Sequence, residues 1–500
     1  MYISLVLLGC ALWAAWVTIW LRTRRARRLL AGLPCYPELP FFGSVHKFFG
    51  GGERILRTLT ELSAISDEKS LPFLLWIGPV PALMFTGGED IKAVTNAFIE
   101  KPYYYNFARP WLGNGLVTGP GSIWKHNIRN LAGTFNTTVV DGYQNVFNAQ
   151  AQNLVRNLKK EVGAEPFDAM HKYLAYTTLE TVCQTALGVP DITGSIVTAE
   201  YYAAFNMAVK LLIRRGLNLF QHWGPLYRFS SSHKQFMKCI DVIHNVSDTV
   251  INLRKLEWEE KKKSGVVEKE ADPSEMRFKS FLDILLEISE RDENMTLEQL
   301  KAEVDTIIVG GQETVATTLF YCLLMIGCND DVQNKLYEEL KEIFGDSKRA
   351  VQKQDLAQMK YCEAVIYETL RLYPPAPVVM RYADKDLKLA TFTIPKDTAC
   401  GINAWGAGRS RRLWGADVLS YRPGRWLEAD LACTHATGLL AFSYGRRSCI
   451  GKKYAMAFLK TALAYCVREL RIISDAENLR LRVDLALRPV SGHLLKVQLR

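Results

Sequence analysis

No two of the eleven cysteines stand in CxxC or CxxH spacing, and their number is odd, so neither a zinc ribbon nor a disulfide framework is indicated. That usage fits a reduced, cytosol-facing body. Nor does the chain show a basic helix-turn-helix or a stacked-aromatic RNA motif. Five of its ten net positive charges come from Arg22, Arg24, Arg25, Arg27 and Arg28 alone. The remainder, about +5, is too small to indicate nucleic-acid binding. General disorder is excluded by 48% hydrophobic and 11% aromatic residues.

Between Met1 and Leu21 there is no charged side chain at all. The stretch has the length of one membrane helix, with Trp13, Trp16 and Trp20 as interfacial anchors and the arginine cluster directly after it. A cleaved signal would carry its charge before the apolar run, so the order predicts a retained anchor with the rest of the protein on the cytoplasmic side. The alternative is an unusually apolar buried helix. Residues 22–40 read as a basic and proline-rich linker, stiff and extended, and the globular body is expected over 41–500.

Five hundred residues are ample for a core that encloses a bulky cofactor, and the length of the helical patterns predicts a mainly α body. Leu71 to Gly88 reads as a β-hairpin and Tyr105 to Trp124 as a shaped Gly/Pro-rich loop running into a helix. Leu211 to Phe229 is either a lid or a segment that dips into a bilayer, and Lys255 to Lys279 a solvated helix end with a mobile loop. From Thr296, where Thr-x-x-Gln matches a capping box, one helix can run to about Cys328. Gly310 and Gly311 in its middle each cost about 1 kcal/mol of helix propensity, so a thin turn must serve something: a flat cofactor and dioxygen, or close packing of two helices. Glu368 and Arg371 share a helix face at i, i+3 before Pro374-Pro375. A second Glu-x-x-Arg, Glu477 and Arg480, reads as a surface pair. Cys449 lies in a glycine-flanked loop with Arg446 and Arg447, just before a helix N-terminus, a setting that favours a thiolate; the bland alternative is a buried structural cysteine.

The run Phe442-x-x-Gly445-x-Arg447-x-Cys449-x-Gly451 resembles the haem-binding signature of the cytochrome P450 monooxygenases. Gly310-Gly-Gln-Glu-Thr-Val315 is similar to the family's Ala/Gly-Gly-x-Asp-Thr-Thr, and Tyr421-Arg-Pro-Gly-Arg-Trp426 to its Phe-x-Pro-Glu-Arg-Phe. Pro110-Trp-Leu-Gly-x-Gly-Leu116 looks most like the branch of fatty-acid ω-hydroxylases and many insect enzymes. The resemblance covers nearly the whole chain. It implies the mainly α haem-thiolate fold with small sheets, haem b, Cys449 as axial iron ligand, and Phe442, Gly445, Arg447, Gly451, Arg381 and Trp124 as cofactor-binding residues. It further implies Glu313 and Thr314 as the acid and alcohol that guide protons toward dioxygen, and a buried structural triad of Glu368, Arg371 and Arg425.

Several positions depart from the family pattern: Ile128 where the helix offers Arg to a haem propionate, Val315, Gly424, and Gly408 with Ser410 in place of His and Asp. Lys125, His126 and Arg129 are candidate substitutes for the missing arginine. Gly310 replaces the glutamate that forms a haem ester in many branch members, which implies haem bound non-covalently apart from the cysteine bond. The implied partners are NADPH-cytochrome P450 reductase, docking near Arg446, Lys452 and Lys453, and cytochrome b5, with O2 and an apolar lipid, terpenoid hormone or xenobiotic as substrates and the endoplasmic reticulum membrane as location. Other readings are a haem-thiolate isomerase or dehydratase, and a non-catalytic haem-binding paralogue.

Overall fold

The computed structural model describes residues 2–189, 199–263, 279–428 and 438–500. Most of the Lys255–Lys279 stretch therefore lies outside the described residues. Helices dominate, as the sequence patterns predict, with small sheets at one side. Those that matter here are α1 (Tyr2–Leu29), α2 (Gly121–Leu131), α3 (Ala175–Thr185), α4 (Leu297–Gly327), α5 (Lys360–Leu372) and α6 (Lys452–Glu469).

The main sheet has four strands, β1 (Phe73–Ile77), β2 (Val80–Phe85), β3 (Val378–Tyr382) and β4 (Ala399–Asn403), in the order β1-β2-β4-β3. The hairpin expected over Leu71 to Gly88 is β1 and β2, paired antiparallel with Leu75 opposite Ala82. Strand β4 runs parallel to β2 and antiparallel to β3, placing Arg381 opposite Cys400.

Helix α4 passes through the core, buried along most of its length, which is why so apolar a sequence belongs to a protein interior rather than a bilayer here. Its start departs from the capping box. Thr296 accepts the Gln299 N–H at 3.2 Å, but the Gln299 side chain donates to Asn114 and Glu303 instead of turning back. Helix α5 stops at Tyr373 because Pro374 and Pro375 follow.

The N-terminal helix does not end at Leu21 but continues through the arginine cluster to Leu29. Arg27 pairs with Glu38 at 2.8 Å and lies 4.2 Å from the Trp76 ring centroid, and Arg25 pairs with Asp386. Leu30 and Leu33 are buried beside Trp76 and Leu83. The proline-spaced stretch after it also packs on the sheet, with the Pro34 carbonyl accepting Leu74 N–H at 2.8 Å. It is thus held against the body rather than standing free as a spacer.

Candidate active site

Cys449 sits on a loop pinned by its own backbone: its N–H donates to the Phe442 carbonyl at 2.8 Å and Ser448 N–H to Gly445 at 3.0 Å. Gly445 has φ +71°, and a Cβ there would lie 2.7 Å from Thr95 Oγ1, so only glycine fits. Gly451 has an ordinary φ of −86° and caps α6; its backbone does not require glycine. Cys449 is exposed to the chamber but enclosed by protein, and that enclosure pushes its thiol up while the Gly451 N–H and Lys452 oppose it. The arginines expected to do so are engaged elsewhere or point to solvent. Arg447 donates to the carbonyls of Leu116 at 3.2 Å and Gly119 at 2.8 Å, and Arg446 is exposed.

The sulfur faces a chamber that Phe442, Arg447, Gly451, Trp124 and Arg381 also line. Across it Gly310, Gly311, Thr314 and Val315 of α4 form the opposite wall. The two glycines differ, and only the second is required by close helix packing. A Cβ on Gly311 would come within 2.6 Å of Val182 on α3, whereas one on Gly310 would meet nothing within 4 Å. The Thr314 hydroxyl donates to the Gly310 carbonyl at 2.6 Å. Glu313, its neighbour in sequence, does not join it. The carboxylate pairs with Arg488 at 2.7 Å and lines a separate, larger cavity of about 1160 Å³, against about 350 Å³ for the chamber, bounded by Phe42, Met207, Ile213, Phe220 and Pro489.

One edge of the chamber collects positive charge. Lys101, Arg381 and Arg447 all line it, and among the described residues none forms an ion pair with a carboxylate. Glu100, close by, spends its carboxylate on the Gly121 N–H. The Nε atoms of Arg381 and Arg447 are buried without a partner. Burial, then the charges of the two arginines, push Lys101 well below the usual lysine range, and burial with Arg381 brings Arg447 down to about 10. Such a cluster is poorly satisfied without a dianion beside it.

Lys101 was not found from the sequence, because nothing local marks a lone lysine before Pro102. The three candidates that were named do not reach the chamber. Lys125 and Arg129 are exposed, and His126 pairs with Asp292 at 2.5 Å. Ile128 does line it, as an apolar contact.

Behind the cysteine loop, Glu368, Arg371 and Arg425 are fully buried together. Arg371 grips Glu368 through two bonds of 2.8 Å, and Arg425 Nε donates to the same carboxylate at 3.0 Å. Burial would raise the Glu368 carboxyl, but Arg371, the Arg422 N–H and Arg425 outweigh it and hold it low. Asp417 reaches Arg425 at 3.2 Å and supplies the acid that Gly424 lacks. The Gly408 carbonyl accepts from Arg371, and a Cβ on Gly408 would overlap the Arg371 backbone at 1.9 Å; Ser410 bonds Asp67. The other Glu-x-x-Arg is not a pair: Arg480 joins Glu53 at 2.8 Å.

A thiol, a thinned helix opposite and a rim of unpaired cations fit a flat iron macrocycle with two carboxylates, which makes this a haem-thiolate protein on a mainly helical frame. The family model for cytochrome P450 matches residues 33–495, and the chain belongs to that family. Mouse cytochrome P450 4V2 is 32% identical over 444 residues, 87% of this chain and 83% of the mouse protein. Cytochrome P450 4c21 of Blattella germanica is 29% identical over 96% of this chain and 95% of its own length, and cytochrome P450 4g15 of Drosophila melanogaster 28% identical over 97% and 95%. As a family member the protein is a monooxygenase that carries haem b on a cysteine thiolate.

Proposed function

We propose that Cys449 is that thiolate and that the enzyme oxygenates an apolar molecule with NADPH electrons delivered by a flavoprotein reductase. The observation that carries the assignment is that, among the described residues, Cys449 is the one cysteine lining the cation-rimmed chamber. When bound, the haem supplies dioxygen activation. Lys101, Arg381 and Arg447 hold its carboxylates, and Phe442 and the Gly310–Gly311 turn bound its faces. The Thr314 hydroxyl, with its proton on the Gly310 carbonyl, leaves its oxygen free to accept a hydrogen bond from water in the chamber. Glu313 faces the larger cavity, a position from which it can take a proton from water once it leaves Arg488.

Helix α1 is read as the endoplasmic reticulum anchor. Phe220, Trp223 and Phe229 are exposed, Phe229 by 88%, and Phe42 meets Phe220 at 6.4 Å between centroids. This apolar patch is read as resting on the bilayer, with the body on the cytoplasmic side, and exposed Arg446 and Lys452 as docking the reductase. Reconstitution with NADPH and a flavoprotein reductase tests the reading. A product carrying one atom from O2 supports it, rearrangement without NADPH indicates an isomerase, and bound haem without either indicates a non-catalytic protein.

A further inference from the structure

Glu303 lies two helical turns before Gly310 on α4 and is completely buried. Its contacts are all donors: Leu116 N–H at 2.9 Å, Asn127 Nδ2 at 2.7 Å and Gln299 Nε2 at 2.9 Å. Among the described residues no cation pairs with it. Burial pushes its carboxyl up to about 7 against those three donors. A buried carboxylate without a counter-ion is costly, and an apolar side chain would pack this helix face at lower cost.

The loop that Glu303 holds is pressed flat on α4. A Cβ on Gly113 would lie 2.6 Å from Ala302 Cβ, and one on Gly115 would lie 2.2 Å from Thr306 Oγ1. The next residues, Leu116 and Val117, form part of the chamber wall. Leu116 therefore has two ties. Its N–H goes to Glu303, and its carbonyl, together with that of Gly119, receives the two terminal nitrogens of Arg447.

We propose that Glu303 is a positioning residue for the cofactor: by fixing the Gly113–Gly119 loop on α4, it sets the carbonyls that aim Arg447 at the rim of the chamber. Removing the acceptor would let Leu116 lift from the helix, and Arg447 would lose the frame that orients it toward a haem carboxylate. The proposal rests on the haem reading of the chamber, which is checked separately because the wild-type holoenzyme must first show a thiolate-ligated haem.

The test measures transfer of haem from the purified holoenzyme to excess apomyoglobin. Glu303→Asp keeps the charge but falls one methylene short of Leu116, and is expected to speed haem loss about tenfold, the factor of one lost hydrogen bond to a charged group. Glu303→Gln can still accept from Leu116, with the Asn127 amide turned to meet its new donor while Gln299 keeps its bond to the Asn114 carbonyl, and should stay within about twofold of wild type. Asp305→Asn is the control, a buried acid two residues on whose contact is with His244 rather than with Leu116. In an Arg447→Lys background Glu303→Asp should add almost nothing, because both changes act through the same frame. Unchanged haem loss in Glu303→Asp overturns the proposal. So do loss in Glu303→Gln equal to that in Glu303→Asp, and full additivity with Arg447→Lys, which would make Glu303 a packing residue only.

Discussion

Arg488 donates through one terminal nitrogen to Glu313 Oε2 at 2.8 Å, with Oε1 in ion-pair range at 2.7 Å, and so turns the acid away from the chamber that its neighbour Thr314 lines. Both groups are nearly buried, and the arginine offsets the cost of a negative charge there. Burial raises the Glu313 carboxyl above its ordinary value, with Arg488 opposing. A carboxyl raised on folding contributes stability that is present below the ordinary carboxylate range and lost as pH rises through its folded pKa. Arg488→Leu removes the opposing charge, so it should cost about 3 kcal/mol at neutral pH and less at pH 5. Urea denaturation across pH checks this. Adding Glu313→Gln should restore most of the loss and flatten the pH dependence; a loss independent of pH would mean that Arg488 stabilises by packing alone.

Thr314→Ala is expected to uncouple the enzyme. NADPH would still be consumed, but product per NADPH should fall, because the hydroxyl oxygen that accepts a hydrogen bond from water in the chamber is gone. Thr314→Ser keeps the bond to the Gly310 carbonyl and should retain most of the coupling. Peroxide and product are measured together, and unchanged coupling in the alanine variant would leave Thr314 as ordinary helix lining.

Cys449→Ser should abolish the red-shifted carbon monoxide band of the reduced protein, because no other described cysteine reaches the chamber. Persistence of that band would place the thiolate elsewhere.

Lys101→Met removes one of three like charges that repel one another in the apoprotein. The apoprotein should therefore gain stability while haem is lost faster, by about tenfold for one charged contact. Ile128→Arg in the same protein should restore retention, since Ile128 lines the same chamber and a cation there replaces the lost charge. Haem transfer and thermal denaturation of the apoprotein read the two effects separately. A simple drop in both would make Lys101 a structural residue.

The order of elements was legible because each left a local mark: alternation and Gly/Pro breaks for β1 and β2, the Thr296 cap for α4, Pro374 for the end of α5. Cys449 was legible for the same reason, its spacing being set by one short loop. Relationships between distant segments were not. Nothing in Glu313-Thr314 says that a strand residue 175 positions on, Arg488, will capture the acid. Lys101 is a lone charge in sequence and becomes one of three only when Arg381 and Arg447 arrive from a strand and a loop. The run of the first helix past Leu21 was missed because arginines have good helix propensity, so a membrane boundary in composition need not end a helix.

The last expectation concerns Gly310. A Cβ at this position would face open chamber with no atom within 4 Å, so the site could hold a carboxylate reaching toward the haem, yet this chain places none there. Glu313, the nearest acid in sequence, is turned to Arg488 and does not line the chamber. Glu303 is held by three donors. The haem should therefore be retained only by Cys449, the three cations and apolar packing, and acidified organic solvent should extract all of it. Gly310→Glu supplies the contrast. It should fold, since the helix gains about 1 kcal/mol of propensity and meets no clash, and after turnover a fraction of its haem should co-elute with the polypeptide in denaturing chromatography. Haem that co-elutes with the wild-type chain would refute the reading and point to a carboxylate that moves into the chamber during turnover, with Glu313→Gln the variant to examine first.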